Sequence, residues 1–461
     1  MMAMVFRKLF NELGLHSLFA SPLDTKIIIL QRFIRFFAFG GSTIVLVLYL
    51  HEHDIPASQI GLFMSLTFVG DIISFGLSLV ADGIGRKHVL AIGALMMAFS
   101  GFAFATSGNF WVLLLAGVVG IISPNGREIG PFTSIEESTL AHLTAPEIRS
   151  DIFAWYVVIG SAGSAAGKMT TGWAVQRLQT AKGWTSIRSY QAVFFTYALL
   201  GMFNFSLAWL LSPSVELHAP ARRASEAVET GEEQPLLPSG EAEQNQELEK
   251  KRSLFPKISR ESRGIVFRLC CLFAIDSLAS GLVPASWVTY FFYTKFSLPT
   301  GSLGTIFSVM AILSAISSVV AASLSKRIGL INTMVFTHLP SAIALALIPI
   351  PSSLTGAIIF LIIRSSLASM DIAPKAAFLS MVVQPGERTA VMGFISVVRT
   401  FSQSCGPFIT GLLAQSGSFW VTFIVAGSLK AAYDLGLLAA FSQHKVHGSP
   451  PSEARDEETE A

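Results

Sequence analysis

Apolar residues are grouped along the chain in runs of about 20, and short polar segments separate one run from the next. A helix needs about 20 residues to cross the hydrocarbon core of a bilayer. Runs of this length therefore favour membrane-spanning helices over strands or ordinary core helices. The pattern predicts twelve spans, at residues 27–50, 58–80, 89–106, 110–142, 150–174, 190–211, 264–292, 301–324, 331–350, 355–383, 389–414 and 419–441.

A polar stretch divides these spans into two sets of six. Residues 212–263 are rich in Glu, Gln, Ser and Pro, a composition typical of a disordered linker. We therefore predict a short cytosolic tail (1–26), a six-helix bundle (27–211), the cytosolic linker (212–263), a second six-helix bundle (264–441) and an acidic cytosolic tail (442–461). The fold class is an all-α membrane protein.

Composition supports a membrane protein and excludes several function classes. Hydrophobic residues make up 52% of the chain and charged residues only 13%, about half the share in soluble proteins. The net charge of +2 does not favour a nucleic-acid partner. The three cysteines lie inside apolar runs and no metal-ligand spacing occurs, so we expect neither a disulfide framework nor a metal, and no cofactor.

The positions of Lys and Arg predict the orientation in the membrane. If both termini are cytosolic, the outer connections hold only Arg177, Lys182, Arg188 and Lys295, and most other loop cations lie inside. This is the bias of the positive-inside rule. We expect a plasma membrane or a vacuolar or lysosomal membrane. In the linker, Glu232, Leu236 and Leu237 resemble an acidic dileucine signal for a sorting adaptor, although so short a pattern also arises by chance.

The two halves share an internal repeat. Gly61 in span 2 matches Gly304 in span 8, and Gly172 in span 5 matches Gly411 in span 11. Ile84-Gly85 also matches Ile328-Gly329 with one added residue. Such matches at equivalent places suggest duplication, and paired parallel halves are typical of transporters with a solute site between them.

The loop after span 2, running from Asp82 through Gly85 and Arg86 to Lys87, resembles the D-x-x-G-R-K signature of the major facilitator superfamily. Ser78 and Gly83 depart from the usual pattern. The resemblance implies the twelve-helix fold of that family. It also implies a central cavity lined by helices 1, 2, 4, 5, 7, 8, 10 and 11, and a conformational switch in this loop. The alternative is a simple positive-inside turn.

Several charged residues fall deep inside the predicted spans, where each costs about 2.5–3.5 kcal/mol at a helix centre. The deep set, a candidate substrate and proton pathway, is Asp71, Arg127, Glu128, Asp276, Arg364, Asp371 and Arg399. Arg127 and Arg364 either bind an anionic substrate group or are neutralised by nearby carboxylates; the sequence leaves both open. Asp371 and Lys375 are spaced to pair on one helix face.

Other charges near the spans carry no functional expectation. Arg32 and Arg35 lie near a span end, where long side chains can snorkel to water. Lys430 and Asp434 are four residues apart in a peripheral helix and predict a structural pair. The Gly-x-x-x-Gly at residues 163–167 resembles an antiporter motif with Lys168 where Pro is usual, and simple helix packing also explains it.

These observations predict a secondary transporter of a small solute, acting as a monomer by rocking one half against the other. We expect proton coupling, with Asp71, Asp276 and Asp371 as candidate proton carriers. No catalytic motif occurs, so an enzyme is not expected. The alternative is a transporter-like receptor that binds a solute without net transport.

Overall fold

The computed structural model describes residues 15–79, 81–126, 132–216, 260–383 and 387–441. These residues form two bundles of six membrane crossings. The crossings, numbered as spans 1 to 12, are Leu23–Glu52; Ala57–Leu79; Arg86–Thr106; Phe110–Val119 with Phe132–Leu143; Arg149–Lys182; Ser186–Trp209; Arg260–Leu282 with Ala285–Phe296; Thr300–Ile328; Leu330–Leu347; Leu354–Leu367 with Ile372–Val382; Arg388–Gln415; and Phe419–Phe441. The short helices Leu15–Ala20, Ala81–Ile84 and the 3₁₀ turn Pro213–Val215 lie between or before them.

The crossings differ in how strongly apolar they are. Among the described residues, the helices of spans 1, 3, 6, 7, 8, 9 and 12 are long and apolar enough to cross a membrane by themselves. Shorter apolar helices, Ala57–Gly70, Phe110–Val119 and Leu354–Leu367, belong to spans 2, 4 and 10. Polar and broken crossings are tolerated where other helices, rather than lipid, surround them.

Three crossings predicted as continuous spans are each built from two helices. Span 4 ends its first helix at Val119, before Gly120, and its second begins at Phe132. Span 7 is interrupted at Pro284, whose ring nitrogen cannot donate to the helix. Span 10 is interrupted between Leu367 and Ile372. Discontinuous crossings are typical of solute sites in transporters, because the freed backbone groups face a cavity.

The internal repeat corresponds to two crossings between the halves. A Cβ on Gly61 would lie 3.0 Å from Cα of Gly411, and one on Gly172 would lie 2.8 Å from Cα of Gly304. Span 2 therefore packs on span 11 as span 8 packs on span 5, backbone against backbone. Gly61 corresponds to Gly304 in the repeat, and Gly411 corresponds to Gly172. The two contacts are therefore equivalent, as expected for halves related by a two-fold pseudo-axis.

Side-chain hydrogen bonds join the halves near these glycines. Trp173 Nε1 donates to Thr305 Oγ1 at 2.9 Å, and the Gln176 side chain accepts from the backbone N of Gly301 at 3.0 Å. The Gln415 side chain accepts from the backbone N of Ser58 at 3.2 Å. These bonds lie at the membrane face opposite the start of span 1 and the end of span 12, so the two halves are closed against each other at that face.

Residues 212–216, where the predicted linker begins, pack on the first bundle. Ser212 donates to both carboxylate oxygens of Asp24, through its backbone N at 3.0 Å and its hydroxyl at 2.5 Å. Glu216 accepts from the backbone N of Arg86 at 2.7 Å and of Lys87 at 3.1 Å. The start of this segment is thus held at the first turns of spans 1 and 3. Residues 217–259, including Glu232, Leu236 and Leu237, lie outside the described residues.

Candidate functional site

A cavity of about 550 Å³ lies between the two halves. The first half contributes Thr43, Asn125 and Lys168, and the second half contributes the remaining lining, from spans 7 to 12. A cavity of this size fits a small solute. The resemblance implied that spans 9 and 12 stay peripheral; that expectation is wrong, because His338 of span 9 and Lys430 of span 12 both line the cavity.

Asp276 is the centre of an ionic network in the wall of the cavity. Its two carboxylate oxygens accept from Lys375 Nζ at 3.0 Å and from Lys430 Nζ at 2.8 Å. Lys430 also donates to the hydroxyl of Ser280 at 2.8 Å. Asp276 is only 5% exposed, and a buried carboxylate of this kind persists because opposite charges compensate the lost hydration.

Asp371 joins the same network through one of these lysines. Its carboxylate lies 2.7 Å from Lys375 Nζ, so the pairing predicted from the four-residue spacing is confirmed. Asp371 sits at the break of span 10, directly before the helix Ile372–Val382. Lys375 is therefore shared by two buried carboxylates, whereas Asp276 has two lysines. Among the described residues, Lys375 provides the one ion pair of Asp371.

Lys430 and Asp434 do not pair with each other, which corrects the prediction from their spacing. Asp434 instead faces Nδ1 of His338, with 2.9 Å to each carboxylate oxygen. Lys430 reaches Asp276, 154 positions away in the chain. Both residues are buried, and each binds a partner on a neighbouring helix, Lys430 on span 7 and Asp434 on span 9.

Three further cations line the cavity. Lys168 of the first half donates to the hydroxyl of Ser164, one turn away, at 3.1 Å. Arg399 of span 11 lies with its guanidinium carbon 5.8 Å from the ring centre of Phe273, and its Nε has no hydrogen-bond partner among the described residues. Arg364 lies near the end of the first helix of span 10.

The structure brings together four of the seven predicted pathway residues. All four, Asp276, Arg364, Asp371 and Arg399, line this central cavity. Arg127 and Glu128 lie outside the described residues, and so does the side chain of Asp71. Sequence reasoning did not include Lys168, Lys430 and His338 in the pathway. The available signal was a charged or titratable residue inside a span, which all three share.

The first bundle has a buried ion pair of its own. Arg35 lies 2.6 Å from Glu136 and is only 1% exposed, and Tyr156 donates to the same carboxylate oxygen at 2.9 Å. The guanidinium of Arg32 stacks 3.6 Å from the ring centre of Tyr156. The prediction that Arg32 and Arg35 snorkel to water is wrong, because both point into the bundle rather than along its surface.

The loop that resembles the family signature turns sharply at Gly85. This glycine has φ of +102°, and the matched Gly329 has φ of +85°, a conformation that side-chain-bearing residues rarely adopt. Arg86 donates to the hydroxyl of Ser138 at 2.6 Å, and Lys87 donates to the backbone carbonyl of Leu211 at 2.7 Å. The side chain of Asp82 lies outside the described residues.

The interruptions of spans 4 and 7 meet across the two halves. The side chain of Asn125 accepts from the backbone N of Ala285 at 3.2 Å. The carbonyl of Pro124 accepts from the backbone N of Ser286 at 3.1 Å and from its hydroxyl at 2.7 Å. Backbone groups freed by the breaks are thus satisfied by the opposite half. These contacts close the cavity beside Asn125.

Comparison with known proteins identifies the class. In the described residues, twelve crossings in two matched halves around a charged central cavity define a polytopic secondary transporter, an integral membrane protein with a small-molecule substrate. The family model of the Major Facilitator Superfamily matches residues 28–370 and 269–460, and the chain belongs to this family. An uncharacterised membrane protein of Saccharomyces cerevisiae is 33% identical over 422 residues, which is 91% of this chain and 94% of the yeast protein.

Solved structures show the same fold. A D-xylose–proton symporter is similar with a TM-score of 0.67 at 13% identity, over 90% of this chain and 96% of that one. The nucleoside transporter NupG is similar with a TM-score of 0.65 at 14% identity, over 92% of this chain and 100% of that one. The predicted fold class and family resemblance are therefore confirmed.

Proposed function

We propose that the protein moves a small solute in exchange or symport with protons, and that Asp371 carries the coupling proton. The observation that supports this is the sharing of Lys375 between two buried carboxylates. If Lys375 moves towards Asp276, Asp371 is left as a buried ionised carboxylate. Such an uncompensated charge is expensive, and taking up a proton relieves the cost.

Asp276 has a different role in this proposal. It keeps Lys430 as a partner when Lys375 moves, so it remains ionised and anchors the network. Asp71 stays a candidate proton carrier on the evidence of its position in span 2 alone. With the start of span 1 and the end of span 12 on the cytosolic side, the face at which the two halves are closed is the outer one.

The loop charges support the proposal that both termini are cytosolic. The proposed setting is a plasma membrane or a vacuolar or lysosomal membrane, with the protein acting as a monomer, and the resemblance to an acidic dileucine signal supports a sorting adaptor at Glu232, Leu236 and Leu237. The switch role of the loop from Asp82 to Lys87 rests on the family signature and on the sharp turn at Gly85.

The test is solute-driven proton movement in reconstituted vesicles that contain a pH-sensitive dye. A panel of sugars, amino acids, carboxylates, nucleosides and amines is added outside, and the internal pH is followed. We expect one class to change the internal pH in the wild type but not in Asp371→Asn. Asp54→Asn is the matched control, because Asp54 lies in an outer loop with φ of +58°, a conformation that Asn tolerates.

Two outcomes would contradict the proposal. If a transported solute moves at the same rate with and without a pH gradient, the transport is not coupled to protons. If Asp371→Asn keeps the full gradient dependence, Asp371 is not the carrier. Saturable binding without any flux would support the receptor alternative.

A further inference from the structure

The cavity carries an excess of positive charge. Five basic side chains line it, Lys168, Arg364, Lys375, Arg399 and Lys430, against two acidic ones, Asp276 and Asp371. Arg364 has a partner of its own, and the other four basic residues still exceed the two carboxylates by two positive charges. In a cavity surrounded by low-dielectric protein and lipid, such an excess creates a positive potential.

The four basic residues other than Arg364 divide into two groups by their partners. Lys375 and Lys430 are occupied by the carboxylates of the ionic network. Lys168 and Arg399 have no carboxylate within ion-pair distance among the described residues, and no acidic residue lies three or four positions away from either on its own helix. A half-buried cation without a counter-charge favours binding of an anion.

We infer that the transported solute is a small organic anion whose charged group binds between Lys168 and Arg399. The two cations come from opposite halves, since Lys168 lies on span 5 and Arg399 on span 11. An anion between them attracts both halves at once, so its binding favours the closed arrangement in which they approach each other. This inference names the substrate class of the proposed transporter and rests on that function.

The hydroxyl and amide groups of the lining fit the remainder of such a solute. Thr43 and Asn125 of the first half and Gln403 and Ser314 of the second face the same space. These groups donate and accept hydrogen bonds and so suit the uncharged polar part of a carboxylate or phosphate ester. Carboxylate and phosphate are both consistent with the cations, because Lys and Arg bind either.

The test measures the electrostatic potential of the cavity without knowledge of the solute. Cys270, Cys271 and Cys405 are replaced by Ser, and a reporter thiol is introduced as Gln403→Cys in the cavity or Ser418→Cys outside it. The reporter reacts with the anionic sulfonatoethyl methanethiosulfonate or the cationic trimethylammonium analogue. The ratio of the two rates cancels any change in the reactivity of the thiol itself.

We expect the ratio of anionic to cationic rate to be at least tenfold higher at residue 403 than at residue 418. A unit charge about 10 Å away through water changes this ratio about fourfold, because the two reagents carry opposite charges. Lys168→Met and Arg399→Met should therefore each lower the ratio by about fourfold. Lys295→Met, at the outer end of span 7, is the matched control and should leave it unchanged.

A ratio at residue 403 equal to or below that at residue 418 overturns the inference, as does a ratio that neither substitution changes. The result is independent of proton coupling. A cation-selective cavity with solute-driven proton movement overturns the anion inference alone, whereas an anion-selective cavity without such movement overturns the proposed coupling alone. Uptake of labelled succinate and of glycerol 3-phosphate then distinguishes a carboxylate from a phosphate ester.

Discussion

The contact between Gly61 and Gly411 determines whether the two halves can close at the face opposite the termini. A Cβ on Gly411 would lie 3.0 Å from Cα and 3.1 Å from N of Gly61, and closer still to the carbonyl of Ala57. All three neighbours are backbone atoms, which no side-chain rotation can move away. Gly411→Ala must therefore separate spans 2 and 11.

The size of the effect follows from the cost of overpacking. One extra methyl group in a close contact costs about 1–3 kcal/mol. Since about 1.4 kcal/mol corresponds to a factor of ten in an equilibrium constant, the closed conformation loses about five- to 150-fold in population relative to the opposite one. Gly393→Ala on the same helix is the control, because a Cβ there meets nothing within 4 Å.

The assay is disulfide cross-linking between Ser58→Cys and Gln415→Cys in a background without native cysteines. The backbone N of Ser58 lies 3.2 Å from the Gln415 side chain, so the pair reports closure at this face. We expect the rate of cross-linking to fall at least fivefold in Gly411→Ala and to stay unchanged in Gly393→Ala. Equal rates in the two variants would refute the assignment of this contact as the closing point.

Three further predictions concern stability, each measured by thermal unfolding of the purified protein. Glu136→Gln removes the charge that compensates buried Arg35 and should destabilise the protein by about 3–5 kcal/mol; a loss below 1 kcal/mol would contradict this. Glu216→Gln replaces the carboxylate that accepts from the backbone N of Arg86 and Lys87 by a neutral amide, and should lower the free energy of unfolding by about 1 kcal/mol. Glu147→Gln is the control and should leave the stability unchanged. Burial lowers the pKa of His53 below its ordinary 6.5, although Asp54 and Glu52 oppose this, so the folded protein favours the neutral ring. Stability should fall as the pH drops from about 6.5 through the lowered pKa, and His53→Gln should lack this loss between pH 7.5 and 5; identical pH profiles would show that His53 does not titrate in this way.

The crossings and the repeat could be predicted because both depend on local features of the chain. Lipid imposes a minimum length of apolar sequence, so the spans are visible without any tertiary information. The matched glycines were visible as a repeat between the two halves. The structure adds what the sequence did not predict, that Gly61 contacts Gly411 and Gly172 contacts Gly304 backbone to backbone.

Ionic partners on different helices could not be predicted because they depend on which helix face meets which neighbour. Lys430 and Asp434 have the same four-residue spacing as Asp371 and Lys375, in the less favourable order with the lysine first, and only the second pair forms. Lys430 instead binds Asp276, from a helix more than a hundred residues earlier. The sequence showed that Arg35 lies near the end of span 1, but it did not show which way the side chain points. The expectation that Arg35 reaches water was wrong because of this missing direction.

The breaks in spans 4, 7 and 10 have a common physical consequence. Each ends a helix inside the protein, and each lies beside the cavity, where Asn125, Ala285 and Asp371 are found. A broken helix exposes backbone donors and acceptors that lipid could not satisfy. The breaks are therefore tolerable only where a polar cavity or the opposite half supplies hydrogen-bond partners. Helix-breaking residues such as Gly120 and Pro284 inside a span can therefore indicate the position of the site from the sequence.

The charge distribution assigns unequal roles to the two halves. The second half carries the shared lysine and both acidic cavity residues, whereas the described part of the first half contributes Lys168 as its one charged lining residue. The buried Arg35–Glu136 pair of the first half is already neutralised within its own bundle. A change in charge state inside the second half therefore alters what Lys168 faces across the cavity. Under the proposed coupling at Asp371, the second half holds the proton and Lys168 of the first half responds to it, so neutralising Lys168 should weaken solute binding while leaving the ionic network of Asp276 intact.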